Sequence, residues 1–442
     1  MFCSLRHPLR VWLCRLTCRV RGVDELERVV TEAAAPFPEQ CVVVAVTDAS
    51  QTCVASSAGT DPNMLCEIGS VTKVMTATLV LQHVARGNVG LDDPVASYVT
   101  DFVLDPPEAT PRVTLRHLLC HASGVDFDEF TDAGDDDDCL ARYIRDDLRG
   151  ELWDPPGTRW NYSNGGYSLL GRVVEVLDGR PFDDALISRV AEPLGITVTT
   201  WPRLGPGRDV AVGHYRDPAS GRVVAEHRRF PRSAGPAGGA LATASDLARF
   251  GYSLVSGVGE LLPPAWATRM RTSQMAVRDG GQGLGWRIDH TGMPYYWGGT
   301  PGHRAYLTAV PGGAAIGAVA NATGGAITVG RAVATHLFGP PSPSPNTVPE
   351  GAPDFPPAMC VGRYVRRDAA HHISWDGDAL VAQQLGFGPA ADLLPTPPPF
   401  RLHPLGGGCY ASDQGLRWDF SDPDPDGKPT RLLTLRSHRR QG

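Results

Sequence analysis

The chain has 442 residues, 42% of them hydrophobic and 20% charged, with a formal net charge of -7. That length holds one large domain with a well-filled core and a smaller second one. No basic run exceeds His227-Arg228-Arg229 or the Ser437-His438-Arg439-Arg440 stretch, so nucleic acid and anionic membrane are argued against as partners.

Ten cysteines are spread without a C-x-x-C pair, which removes zinc ribbons and thioredoxin-like chemistry. Several lie in apolar runs, Cys41 before Val42-Val43-Val44 and Cys120 after Leu118-Leu119, and read as buried, reduced thiols in a cytoplasmic protein. Residues 1–22 carry Arg6, Arg10, Arg15 and Arg19. Their apolar run is cut by Arg15 and no small-residue cleavage site follows, so they read as a mobile extension rather than a signal peptide. No later segment reaches the length of a membrane span.

From residue 24 to 30 the pattern is an amphipathic helix, followed by a strand at 41–47 and its hairpin partner at 52–57. The turn Gly69-Ser70 opens a helical pattern with apolar Val71, Val74, Met75, Leu79, Leu81 and Val84, ending near Gly87. Helical spacing puts Ser70 and Lys73 within side-chain reach, with Ser70 in the first turn, where free N–H groups stabilise an oxyanion. Only two of the 41 basic residues are lysines, Lys73 and Lys428. Arginine keeps its proton, whereas a desolvated lysine can act as a base, so the Ser70/Lys73 pair suggests an activated nucleophile.

Residues 92–235 read as helices and loops with little strand character. A helix at 114–121 places His117 and His121 four apart, without a matching third metal ligand. Asp135 to Asp138 lack the alternation of a calcium loop and read as a solvated run. Tyr162 and Asn164 stand on a loop before a helix at 167–177, a common position for site residues. Thr243 or Ser245 would cap a helix from 246. The segment Tyr295-Tyr296-Trp297-Gly298-Gly299-Thr300-Pro301-Gly302-His303 joins aromatic residues to small ones and suggests backbone that something approaches closely. It precedes strands at 304–310 and 314–321 and a helix at 328–338. Residues 340–357 form a proline-rich linker, and 358–442 have the short β-like runs of a small module.

Seven stretches together resemble the serine β-lactamase-related hydrolases: class C β-lactamases, D-aminopeptidases and carboxylesterases of that fold. They are Glu67-Ile-Gly-Ser-Val-Thr-Lys73, Leu91-Asp-Asp-Pro-Val95, Leu115-Arg-His-Leu-Leu-Cys-His-Ala-Ser-Gly124, Pro156 through Tyr167, Glu192-Pro-Leu-Gly195, Gly238 through Ala248, and Gly299-Thr-Pro-Gly-His303, in family order. The resemblance implies an α/β (α+β) fold: a β-lactamase/transpeptidase-like sheet flanked by helices, with an inserted helical region, occupying residues 23–339. It casts Ser70 as the acylated nucleophile, Lys73 and Tyr162 as a coupled proton-handling pair, and Asn164 as a binder of the acyl side chain. In the last motif the family's Lys or His is absent. Either Tyr296 fills its slot, or Trp297-Gly298-Gly299 matches the W-G-G variant of family esterases. Both remove the cation that would hold a substrate carboxylate.

The expected oxyanion hole is the Ser70 N–H with a backbone N–H near Gly299 or Thr300. His303 is open to a structural or a site role. The reading is a serine hydrolase of a small-molecule or peptide ester or amide, needing no metal and no cofactor. The alternatives are an acyltransferase, a β-lactamase or D-peptidase, and a silent binding protein on the same fold.

Overall fold

Val42-Val-Val-Ala-Val46 alternates two buried faces, because successive side chains of a strand point to opposite sides of the sheet. This strand, β1 (Val42–Thr47), pairs with β2 (Thr52–Ser56), and both sit at one side of a sheet whose other strands come from far along the chain. In the computed structural model these are β3 (Met275–Val277), β4 (Gly280–Gln282), β5 (Arg287–Asp289), β6 (Pro294–Thr300), β7 (His303–Ala309) and β8 (Ala315–Ala320). The order is β3-β4-β5-β6-β7-β8-β1-β2, all antiparallel. The structure describes residues 23–441 apart from 58, 128–129, 217–222, 227, 279, 311–312, 340–353, 388–390, 392–395 and 413–415. The N-terminal extension, most of the proline-rich linker, and Cys3, Cys14 and Cys18 lie outside the described residues.

Val42, Val44 and Val46 of β1, with Ile316 and Ala318 of β8, meet helices α1 (Val23–Ala34) and α5 (Gly325–Phe338) on one face. Val43 and Ala45 face the larger core, which includes α2 (Thr72–Ala85), α3 (Gly165–Asp178) and α4 (Ala244–Ser256). Thr243 caps α4 in a capping box with Asp246, one of the two caps expected from sequence. The helical region is inserted between β2 and β3. It carries more strand than its sequence pattern suggested, though each piece is two to four residues long, such as Val125–Asp126 against Gly150–Leu152. The described cysteines, from Cys41 to Cys409, are free. Among the described residues no helix is long and apolar enough to cross a membrane.

The C-terminal β module closes into an eight-stranded barrel: β9 (Gly362–Val365), β10 (Ala369–Trp375), β11 (Leu380–Gly386), β12 (Phe400–Gly406), β13 (Cys409–Ser412), β14 (Arg417–Pro423), β15 (Pro429–Leu433) and β16 (Ser437–Gln441). Closure through β9·β16 leaves no free sheet edge. The barrel docks on the inserted region through charged contacts. Buried Asp126 accepts from the Arg366 guanidinium at 3.2 Å and the Arg367 N–H at 2.9 Å, and Asp154 accepts from Arg431 at 2.9 Å. These contacts bring the turn between β15 and β16 against the loop that carries Tyr162.

Candidate active site

Ser70 lies in a 3-10 turn, Gly69–Val71, that runs directly into α2. Gly69 has φ of +52°, and the Thr72 hydroxyl donates to the Gly69 carbonyl at 2.7 Å, which fixes the turn. Strand β6 crosses this turn at close range. A Cβ on Gly298 would stand 2.0 Å from the Ile68 carbonyl oxygen and 2.7 Å from the Ser70 nitrogen, so only glycine permits the approach. Gly299 is equally close to Gly69, and it brings backbone amides of β6 next to the Ser70 amide.

Lys73 follows one helical turn later and is fully buried. Its Nζ donates to Ser70 Oγ at 3.2 Å, Asn164 Oδ1 at 2.6 Å and the Ala237 carbonyl at 2.6 Å. Three oxygens around Nζ match the three donors of an ammonium group. Asn164 occupies the N-cap position of α3, but its side chain turns to Lys73 instead of capping the helix. The Tyr162 hydroxyl donates to Ser70 Oγ at 2.6 Å, and Lys73 Nζ stands 4.9 Å from the centre of the Tyr162 ring. The Ser70, Lys73, Tyr162 and Asn164 side chains, widely spaced in sequence, thus form one hydrogen-bonded cluster.

The remaining expected positions divide. On β6, Tyr296, Gly298 and Thr300 are buried on the Ser70 side, whereas Trp297 points to the opposite face and packs in the core of α1 and α5. Strand alternation therefore puts Tyr296 on the Ser70 side of β6 and turns Trp297 to the opposite face, away from the substrate contact expected of it. His303 donates Nε2–H to the Ala211 carbonyl at 2.9 Å and faces Glu67 at 3.8 Å, a structural placement behind the Ser70 turn. His117 caps its own helix with Thr114. No group of three His, Cys, Asp or Glu side chains among the described residues is arranged to hold a metal.

Three groups near the cluster were not anticipated. His121 is buried with φ of +56°, and its Nδ1 accepts from the Ser163 N–H at 3.2 Å. Its Nε2 lies 3.4 Å from the Tyr296 hydroxyl. Burial, then the charges of Lys73, Arg287 and Arg436, hold its pKa well below the usual histidine range, so the ring is neutral. Arg436, from the barrel turn, stacks 5.5 Å from the Tyr162 ring centre, and the Leu435 carbonyl of the same turn accepts the Tyr162 N–H at 3.4 Å. Arg287 on β5 stands 5.4 Å from the Trp160 ring centre. Besides Lys73, positive charge reaches the site from Arg287 on β5 and Arg436 on the barrel, not from β6.

An antiparallel sheet with a helical region inserted between its second and third strands, and a Ser/Lys pair where that region meets the sheet, defines the β-lactamase/transpeptidase-like fold. The chain belongs to the β-lactamase family, with a match over residues 30–345. It is 38% identical over 272 residues to penicillin-binding protein 4 of Amycolatopsis lactamdurans, covering 57% of this chain and 70% of that protein. Esterase EstB of Burkholderia gladioli is 30% identical over 293 residues, 55% of this chain and 74% of that one. The crystal structure of SurE superposes with a TM-score of 0.72 at 24% identity, covering 95% of this chain and 99% of that one, so the likeness of fold extends over the barrel.

Proposed function

We propose that the protein is a serine hydrolase that cleaves an ester or amide of a small molecule or peptide through an acyl-enzyme on Ser70. The observation that carries this is the position of Ser70 Oγ, 2.6 Å from Tyr162 Oη and 3.2 Å from Lys73 Nζ, beneath the amides of β6. Tyr162 Oη is the nearer group; ionised to the phenolate beside the Lys73 ammonium, it takes the serine proton as Oγ attacks the carbonyl carbon. Lys73, held as an ammonium by Asn164 and Ala237, stabilises the negative charge that passes between the two oxygens. The Ser70 and Gly299 amides receive the developing oxyanion. Tyr162 then delivers its proton to the leaving alcohol or amine, and in the second half it activates the water that releases the acid.

A neutral tyrosine in the β6 slot favours acyl groups without a carboxylate at that position, and the relationship to an esterase supports ester substrates. The test is intact mass after brief exposure to a fluorophosphonate, alongside Ser70→Ala. A single adduct on the native chain, absent from the variant, is the expected result. An adduct that persists in Ser70→Ala, or none on folded native chain, overturns the assignment. Nitrocefin hydrolysis as efficient as that of a simple aryl ester would refute the ester preference.

A further inference from the structure

The Gly299 amide must receive an oxyanion in the mechanism above, yet the strand that carries it has two glycines in a row. Gly298-Gly299 lets β6 approach the Ser70 turn, and the same pair leaves that stretch with no side chain of its own to hold it. An oxyanion donor works only when it is already aimed, so the amide needs support from elsewhere.

That support lies on the far face of the sheet. On β7, Arg304 is paired with Gly299, and Tyr306 with Trp297. Directly opposed residues share a face, so Arg304 points with Trp297 and Tyr306 toward the side of α1 and α5, away from Ser70. Its guanidinium lies over Gly299: a Cβ there would stand 2.5 Å from Nη1, 2.8 Å from Cζ and 3.1 Å from Nε. Gly299 is thus enclosed by the Ser70 turn on one side and by Arg304 on the other. Nη1 donates to the Thr300 carbonyl at 3.2 Å and to the His303 carbonyl at 2.8 Å. Thr300 and His303 are the pair that closes the β6–β7 hairpin. The turn between them is anchored outside as well, by Gly302 packed against Gly213 and by His303 bonded to the Ala211 carbonyl. Arg304 makes no ion pair among the described residues, and both of its hydrogen bonds go to the backbone of this hairpin.

We propose that Arg304 is a positioning residue that clamps the end of β6, so that the Gly299 amide stays aimed at the oxyanion. The inference rests on the acyl-enzyme reading of Ser70. In the step it serves, Oγ bonds to the acyl carbon as its proton passes to the Tyr162 phenolate. The carbonyl π pair moves onto the oxygen that faces the Ser70 and Gly299 amides. Arg304 keeps its proton and touches none of the reacting atoms. It holds the hairpin from behind, which leaves the Ser70 face free for substrate. A guanidinium suits the task because it offers several donors in one plane and a surface broad enough to cover a glycine.

The experiment compares kcat/KM for an aryl ester with that for its thionoester, in the full native chain, Arg304→Met and Arg304→Lys. A thionoester places sulfur where the oxyanion forms. Sulfur is a weak hydrogen-bond acceptor, so the ester/thionoester ratio reads the grip of the two amides. Loss of folded protein lowers both rates equally and cancels in the ratio. Methionine keeps an unbranched stem and removes every donor; lysine keeps a donor nitrogen without the planar surface over Gly299. The expected result is a ratio reduced about tenfold in Arg304→Met and about threefold in Arg304→Lys, because the amide is displaced and not removed, and removal of one oxyanion donor costs about 100-fold or more. A ratio within about twofold of native in Arg304→Met would overturn the clamp whatever the absolute rates, and should that variant fail to fold, the same outcome in Arg304→Lys would do so. Ester turnover that persists in Ser70→Ala would instead overturn the acyl-enzyme reading beneath it.

Discussion

Replacing Asn161 by alanine tests whether the barrel holds Tyr162 in place beside Ser70. Asn161 is buried, and its side-chain oxygen accepts the backbone N–H of Ser437, the first residue of β16, at 3.0 Å. The next residue is Tyr162, whose own N–H reaches Leu435 in the barrel turn. Truncation leaves the Ser437 N–H buried without this acceptor, which costs about 1–3 kcal/mol. It also frees the loop on which Tyr162 Oη stands 2.6 Å from Ser70 Oγ. A displacement of about 1 Å in a reacting group lowers rates by about 100-fold. The expected outcome is a urea midpoint lowered by the equivalent of about 1–3 kcal/mol, with fluorophosphonate labelling slowed by roughly 10- to 100-fold. If Asn161→Ala loses that stability but labels within about twofold of the native rate, the barrel supports folding only and the positional argument is wrong.

Gly298→Ala should abolish labelling, because the new Cβ collides with the Ile68 carbonyl and the Ser70 amide; Gly205→Ala, where nothing lies within 4 Å, is the control and should label normally. Equal labelling of the two variants would show that β6 can retreat from Ser70 without consequence. Acid should destabilise the protein before carboxylates titrate. Burial lowers His371 to about 3, and it holds His121 and His438 well below the ordinary histidine value. Their folded pKa values are depressed, so the stability they represent is complete above the unfolded value near 6.5 and is lost as pH falls, when only the unfolded chain binds the protons. Each histidine should remove about 2 kcal/mol between pH 7 and pH 5. His371→Phe should flatten that slope by one proton, as read from urea unfolding at the two pH values. A stability unchanged from pH 7 to pH 5 would refute the assignment of neutral, buried rings.

What could be read in sequence was local. Ser70 and Lys73 are three apart at the start of a helix, so their proximity follows from helical geometry alone. Tyr162 and Asn164 were placed by their loop before α3 and by the resemblance of the surrounding residues. The segment that forms β6 reads in sequence as backbone that something approaches closely, ahead of the strands at 304–310 and 314–321. In the fold Gly298 and Gly299 let a paired strand lie against the Ser70 turn. The barrel was legible as short β runs, but its closure depends on β9 meeting β16 across the whole module. Its part in the site was not legible at all. Asn161 and Ser437 are 276 positions apart, and no local pattern in either segment announces the other.

The separation of the cations explains why the missing Lys or His of the last motif misled less than it might have. In that motif a single strand residue would supply the charge. Here Tyr296 stands on the Ser70 side of β6 without one, while Arg287 on β5 and Arg436 on the barrel turn stand over the Trp160 and Tyr162 rings. Charge acts over several ångströms and tolerates imprecise placement, so it can be delegated to a neighbouring strand and to a docked barrel. Asp126, Asp154 and Asn161 hold the barrel against the Tyr162 loop, so Arg436 carries charge to a site whose own strand residue has none.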